Sequence, residues 1–397
     1  MVEGESGADR DLGGPPEGGL RRHRRFRERG LALLVPDPRP SATTRRRMRH
    51  LFGAYTQAVI TIMVRLGYEL GLWERLAEGP QTSDELSRAA HLDERPVREW
   101  LKSVAATRLV RYSASKGKFW LDPSARDVLS GEGITNLAAG SLMATAALSA
   151  WPEILRGFRG GGVPYRAYAP DFPRAVSQLN RLRYSALFIS HYLPLAPGLT
   201  TRLRRGANVL DIGCGDGHVI RLLAQAFRRS RFTGCDAEAL PLRWARREAR
   251  RQGLTNLKFL RRRLDEIRGR GSWDVIFALD MIHDLSDPVG GLQRVRKLLA
   301  PDGWLFAVEP SLPSSLEENI GRPGAAYLYG ISTLYCTMVA RHGGGEALGA
   351  GWGRERALAL LRDTGFTRIH SGEAPANSLS MVLTARAPSR GARVGKG

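Results

Sequence analysis

At 397 residues the chain exceeds the length of about 250 to 300 residues at which one hydrophobic core stops growing, so two globular units are expected. With 43% hydrophobic and 25% charged residues it has an ordinary soluble composition; no apolar run reaches the roughly 18 residues of a membrane span, and Glu3, Glu5 and Asp9 do not make the basic start of a signal peptide. Neither a membrane span nor a secretory leader is expected, and the cytoplasm is the expected location. The net charge of +21 suits nucleic acid or an anionic surface, but the excess is almost all arginine, and lysine occurs only at Lys102, Lys116, Lys118, Lys258, Lys297 and Lys396. A GC-rich coding sequence explains that bias as well as phosphate recognition does.

Residues 1–48 mix Gly13, Gly14, Pro15 and Pro16 with arginine clusters at Arg21, Arg22, Arg24, Arg25 and at Arg45 to Arg47, the composition of a disordered basic arm. From Leu51 to Leu72 an apolar helical pattern runs through Val59, Ile60, Met63, Leu66 and Leu70. Thr82, Ser83, Asp84 and Glu85 have the form of a capping box that starts a second helix. A third helix, from about Asp93 to Thr107, places Val97, Trp100, Leu101 and Val104 on its apolar side, and two short strands, Leu109–Tyr112 and Phe119–Leu121, follow around a turn at Ser115, Lys116 and Gly117. Three helices and a hairpin predict a winged helix over residues 49–131. On its third helix Arg95, Arg98 and Lys102 are offset by Asp93, Glu94 and Glu99, which argues for homodimer formation or substrate covering and against DNA binding. Residues 132–200 read as a helical linker and substrate-covering region, broken at Pro152, at Gly160 to Gly162, and at Pro170 and Pro173.

Asn208 to Ile212 form a short apolar strand, Gly213, Cys214, Gly215, Asp216 and Gly217 a tight loop, and Ile220, Leu222, Leu223 and Phe227 the core side of a helix. Such a crossover lets backbone approach a ligand at a helix N-terminus. A dinucleotide fingerprint wants its third glycine one place later, where this chain has His218. The next strand ends at Asp236, placed to accept hydrogen bonds from both hydroxyls of a ribose. A third strand, Leu257–Leu260, leads to Leu264 and Asp265; a fourth, Trp273–Leu279, stops at Asp280, Met281, Ile282, His283 and Asp284, and Asp287 caps the helix beyond. A fifth, Trp304–Val308, ends at Glu309. Ligands of open α/β sheets lie beyond the carboxyl ends of the strands, so Asp211, Asp236, His283 and Glu309 are expected on one rim. A helix at Arg354–Leu361 and strands at Phe366–Ile369 and Ser378–Ala385 close the unit, and 388–397 form a disordered tail. The cysteines, Cys214, Cys235 and Cys336, show neither the paired spacing of a zinc site nor a disulfide framework; reduced thiols and no bound metal are expected.

Glycines at alternate positions after Asp211 resemble motif I of S-adenosylmethionine-dependent methyltransferases. Together the elements resemble bacterial two-domain methyltransferases with an N-terminal winged helix and, more distantly, plant-type small-molecule O-methyltransferases, over about residues 50–387. The run Ser314 to Asn319, with Tyr329, Ser332, Thr333 and Cys336, resembles the bacterial group. The resemblance implies an α/β protein: a Rossmann-like, seven-stranded class I methyltransferase domain over 201–387, preceded by a mainly helical winged-helix domain. It implies S-adenosylmethionine as cofactor, held by Asp211, Gly213, Gly215, Gly217, Asp236, Leu264, Asp265 and Asp280, with Leu264 and Asp265 at the adenine, and a small-molecule acceptor. Ile282 to Asp287 resembles the plant-type segment whose histidine is the general base, and Glu309 matches the assisting acid. His283, oriented by Asp284 or Glu309, then takes a proton from an acceptor hydroxyl; imidazole titrates near 6.5 and a phenol near 10, so a neutral ring is expected.

Plant-type enzymes usually carry lysine near Leu279 and tryptophan near Leu285, so their aromatic clamp does not transfer. Tyr184, Phe188, Met281, Tyr329 and Met338 are candidate linings of the acceptor pocket. Relatives that became hydroxylases, decarboxylases or pericyclases make a non-methylating reaction one alternative, and a winged-helix regulator that binds the cofactor as a signal is another. Asp280, Met281, Ile282, His283 in place of an Asn/Asp-Pro-Pro-aromatic motif, and the lack of a Pro-Cys nucleophile, argue against nucleic-acid methylation.

Overall fold

The computed structural model describes residues 40–131, 135–374 and 377–389. They divide into two units, one ending at Ile60 and one starting at Thr61. The described part of the first is helical from Ala42, where α1 (Ala42–Glu69) begins. Arg45, Arg46 and Arg47, expected in the arm, are therefore helix. Ser41 Oγ accepts the Thr44 amide at 3.1 Å and satisfies a free donor at that start. Most of the arm, and the tail from residue 390, lie outside the described residues.

In the second unit α2 (Leu72–Glu78), α3 (Ser83–Ala90) and α4 (Glu94–Ala106) precede a hairpin of β1 (Arg111–Ser113) and β2 (Lys118–Trp120), then α5 (Pro123–Leu129). The Thr82 and Glu85 capping box starts α3, and Asp93 caps α4. Val97, Trp100, Leu101 and Val104 of α4 pack on Leu72, Trp73, Leu76 and Leu86, at roughly 1.5 to 3 kcal/mol for each large apolar side chain buried. The Trp73 and Trp100 rings lie 4.8 Å apart, and their indole N–H groups donate to Val64 O and Met63 O at 3.0 and 2.8 Å, so neither donor is lost on burial. Gly67 permits that approach: a Cβ there would meet Trp73 Cε2 at 2.4 Å.

Next come α6 (Gly140–Ala146), α7 (Trp151–Gly157), α8 (Asp171–Tyr184) and α9 (Leu199–Arg205). Pro152 and Pro173 do not break helices; they sit in the first turns of α7 and α8, where a missing N–H costs nothing.

The sheet has seven strands, β3 (Asn208–Ile212), β4 (Arg231–Asp236), β5 (Leu257–Arg261), β6 (Trp273–Leu279), β7 (Leu299–Pro310), β8 (Thr367–Ala374) and β9 (Asn377–Arg386), in the order β5-β4-β3-β6-β7-β9-β8. Pairings from β5 to β7 are parallel, and β9 alone is antiparallel to both of its neighbours. Side chains alternate across the sheet: Val209, Val275, Phe277 and Phe306 enter one core, Leu210, Ile276, Ala278 and Leu305 the other. Helices α10 (His218–Ala226), α11 (Ala239–Arg251) and α12 (Pro288–Leu298) make the crossovers. Strand order reverses between β3 and β6, which opens a crevice at their carboxyl ends. Between β7 and β8 lie α13 (Ala325–Ile331), a turn over Ser332–Cys336, α14 (Thr337–His342) and α15 (Arg354–Asp363). Among the described residues no helix is long and apolar enough to cross a membrane.

Candidate active site

A cavity of about 1520 Å³ fills that crevice. Gly213, Gly215, Asp236, Leu264, Asp265, Asp280, His283 and Asp284 line it; Asp211, Gly217 and Glu309 do not. The expected rim is thus two layers, with lining residues above and buried supports beneath.

The glycine loop separates the same way. Gly215 has φ 54°, a left-handed backbone, and no atom lies within 4 Å of where its Cβ would be. Gly217, also left-handed, would place a Cβ 2.7 Å from Phe259 Cε1; its lack of a side chain serves packing, not approach to a ligand. The Gly215 amide donates to Asp236 Oδ2 at 2.9 Å and the Glu238 amide to Oδ1 at 2.8 Å. Burial raises the Asp236 pKa above the usual carboxylate value, although these amides pull the other way. Each oxygen keeps a lone pair for a ligand hydroxyl. Asp211 lies behind the loop, 3% exposed, with Oδ1 accepting no hydrogen bond. Burial, and then the charge of Asp236, push its pKa well up.

Leu264 and Asp265 occupy a single turn after β5. Asp265 is 74% exposed and pairs with Arg263 Nε at 3.4 Å. Asp280, expected to face a ligand, has its carboxylate engaged: Oδ2 lies 2.8 Å from Arg183 Nη1, whose Nη2 donates to Ser380 Oγ at 3.0 Å. Asp280 adopts φ 51°, and its amide donates to Val308 O at 2.7 Å, so the chain turns sharply out of β6.

That turn delivers His283. Glu309 is fully buried at the end of β7; Oε1 accepts the Met281 and Ile282 amides at 3.2 and 2.8 Å, and Oε2 lies 2.6 Å from His283 Nδ1. One carboxylate therefore fixes both the turn and the ring. With Nδ1 engaged, Nε2 is the free nitrogen, 3.3 Å from Asp284 Oδ1. Burial alone depresses the ring's pKa, but Asp284 and Glu309 outweigh it and hold it well above the usual imidazole value. Burial, reinforced by Glu309, raises Asp284 as well, against the pull of His283. Cys336 closes the group, within hydrogen-bonding reach of His283 and Asp284; burial and the Asp284 charge push its thiol up to about 12.

Of the five expected acceptor linings, Met281 alone lines the cavity. Tyr184 and Phe188 are fully buried in the sheet core, Met338 of α14 is buried in the cluster that holds Ile154, Val163 and Tyr168, and the Tyr329 hydroxyl accepts from Asn319 Nδ2 at 3.1 Å. The aromatic lining is instead Tyr165, Phe172, Tyr192, Tyr327 and Tyr335, with the Phe172 and Tyr335 rings stacked 3.4 Å apart. Arg183, Tyr335 and Cys336 also line the cavity and were not read as pocket residues, because some of their partners lie about a hundred or more residues away and local spacing carries no sign of them.

Residues 210–305 match the family described as a methyltransferase domain, and residues 58–130 that of an Rv2258c-like winged helix-turn-helix domain. The ubiquinone biosynthesis O-methyltransferase of Albidiferax ferrireducens is 30% identical over 137 residues, 34% of this chain and 48% of that protein. This chain thus spans about half the length of the curated relatives it matches. In fold it is similar to the crystal structure of a putative O-methyltransferase from Nostoc punctiforme (TM-score 0.65, 17% identity, 88% and 99% of the two chains). It is also similar to human N-acetylserotonin methyltransferase in complex with S-adenosylmethionine (TM-score 0.62, 15% identity, 89% and 100%).

Proposed function

We propose that this chain, a methyltransferase-domain protein with an N-terminal winged helix, moves a methyl group from S-adenosylmethionine to a hydroxyl of a small acceptor, with His283 as general base. The observation that carries this is the 2.6 Å contact of Glu309 Oε2 with His283 Nδ1, which leaves Nε2 in a cavity that also holds Gly215 and Asp236.

The residues suit the cofactor: the open side of Gly215 admits it closely, and Asp236 can accept from ribose hydroxyls. Bound there, S-adenosylmethionine supplies a methyl group already activated by its sulfonium. The chain has then to align the acceptor, exclude water and remove a proton. Alignment alone is worth up to about 7 to 11 kcal/mol. With Nε2 deprotonated, His283 would take the proton of the acceptor hydroxyl and leave the acceptor oxygen able to receive that methyl group. Glu309 holds the resulting imidazolium in place.

A homodimer formed through residues 49–131, and a cytoplasmic location, belong to the same proposal. The cations of α4 support it, since Arg95 and Lys102 pair with Glu99 and Arg98 with Glu94, leaving few for phosphate. The test follows labelled methyl from the cofactor into a panel of phenols, hydroxyquinones and carboxylates. Transfer to a hydroxyl is expected; tight cofactor binding with no transfer to any acceptor contradicts it.

A further inference from the structure

Cys336 has no part in the proton transfer, yet its thiol lies beside the two groups nearest that step. One ring nitrogen of His283, a carboxylate oxygen of Asp284 and Sγ of Cys336 lie within 4.8 Å of one another. Two come from the turn Ile282–Asp284 and the third from the turn that precedes α14. All three line the cavity, so a fourth direction is open to water or ligand. Asp284 Oδ1 is buried and accepts no hydrogen bond. Glu309, 2.6 Å from Nδ1, supplies the carboxylate–histidine arrangement that in metal sites fixes the tautomer and turns the other nitrogen toward the ion.

We propose that His283, Asp284 and Cys336 form a site for one thiophilic divalent cation, zinc being the type case, and that this cation competes with the acceptor's proton for His283 Nε2. Nitrogen, sulfur and one carboxylate oxygen with an open fourth position match zinc and cobalt and not magnesium, which takes oxygen ligands and holds its waters. Zinc bonds of about 2.0 to 2.3 Å in a tetrahedron require the ligand atoms to draw together by roughly an ångström, a movement within reach of side-chain rotation. On binding, the Cys336 S–H bond and, in the protonated ring, the His283 Nε2–H bond break, their protons go to solvent, sulfur–metal and nitrogen–metal bonds form and metal-bound waters leave; nothing is oxidised or reduced. The Nε2 lone pair then belongs to the metal. The effect on turnover rests on His283 being the base, whereas the binding does not.

The test titrates the full-length, metal-free protein with cobalt(II). One equivalent is expected, with a thiolate-to-cobalt charge-transfer band in the near ultraviolet. Cys336→Ser should lose the band, and Asp284→Asn and Glu309→Gln should keep it with affinity lower by about 10- to 100-fold. Zinc should depress methyl transfer by the parent, reversibly with a chelator, and depress Cys336→Ser far less relative to that variant's own metal-free rate. Absence of the band in the parent overturns the site, and so does its persistence in Cys336→Ser, which would place the metal on Cys214 or Cys235. A band lost in Cys336→Ser together with turnover indifferent to zinc overturns the competition and counts against His283 as base while the site stands. If Cys336→Ser fails to melt cooperatively, the affinity ratio of Asp284→Asn to parent, measured on folded protein, decides the matter; equal affinities overturn the site.

Discussion

Arg183 Nη1 lies 2.8 Å from Asp280 Oδ2, tying the last turn of α8 to the end of β6 across nearly a hundred residues of chain. Burial opposes the guanidinium's charge, but the Asp280 carboxylate more than restores it. The pair holds the left-handed Asp280 backbone from which the His283 turn departs.

Removal of that arginine leaves Asp280 without its cation. Arg183→Ala should destabilise the fold by roughly 2 to 3 kcal/mol, less than the about 3 to 5 of a fully buried pair because Asp280 keeps some solvent. Turnover should fall with it. Urea unfolding measures the first; a loss below about 0.5 kcal/mol would mean that the pair is incidental.

Asp236→Ala should weaken cofactor binding by about 1.5 to 3 kcal/mol through loss of charge-assisted contacts, roughly 10- to 150-fold in Kd. Because burial raises the Asp236 pKa, its charged form, and with it the affinity, should be present above that raised value and lost as pH falls through it. Calorimetry at several pH values checks both; an affinity that is flat with acid would remove Asp236 from the site.

Gly215 and Gly217 separate ligand approach from packing. Gly217→Ala combines a left-handed alanine with a Cβ 2.7 Å from the Phe259 ring and should cost roughly 2 to 5 kcal/mol of stability. Gly215→Ala meets no neighbour and should cost only about 1 to 2 kcal/mol, while filling the cradle and raising the cofactor Kd. Thermal melting and calorimetry on both variants should give opposite rankings; the same ranking in both measurements would show that the loop does not divide in this way.

The sheet was largely legible because β3, β4 and β6 carry strong apolar patterns that end in glycine or acid, and Thr82 and Asp93 announce their helices by local capping chemistry. Longer-range features were not. Asp211 and Glu309 were correctly placed at strand ends, but periodicity does not say whether an end points into the crevice or under it. Tyr184 and Phe188 read as pocket aromatics, yet both are core residues: Phe188 stacks on Tyr192, and Tyr184 meets both rings edge-on. The raised pKa of His283 follows from two carboxylates, one of them 26 residues away on β7. The start of α1 was hidden because arginine-rich composition resembles an arm, while Ser41 supplies a cap.

The raised pKa of His283 has two consequences of opposite sign. Its protonated form stabilises the fold fully below about 6.5, the ordinary imidazole value, and this stabilisation is lost as pH rises through the raised value. If His283 is the proposed base, turnover should climb over the same interval as the ring deprotonates. Glu309→Gln removes one of the charges that raise the pKa, so both transitions should move to lower pH. Melting temperature and kcat as functions of pH check this, and profiles unmoved by Glu309→Gln would contradict it.

Turnover of His283→Ala beside its cofactor affinity tests the general-base assignment most directly. With an acceptor found, kcat should fall by roughly 10² to 10⁴ while the Kd for S-adenosylmethionine stays within a few-fold of the parent, and raising the pH should partly restore a phenolic reaction. A variant that turns over within a few-fold of the parent would contradict the assignment and leave positioning as the whole of the mechanism.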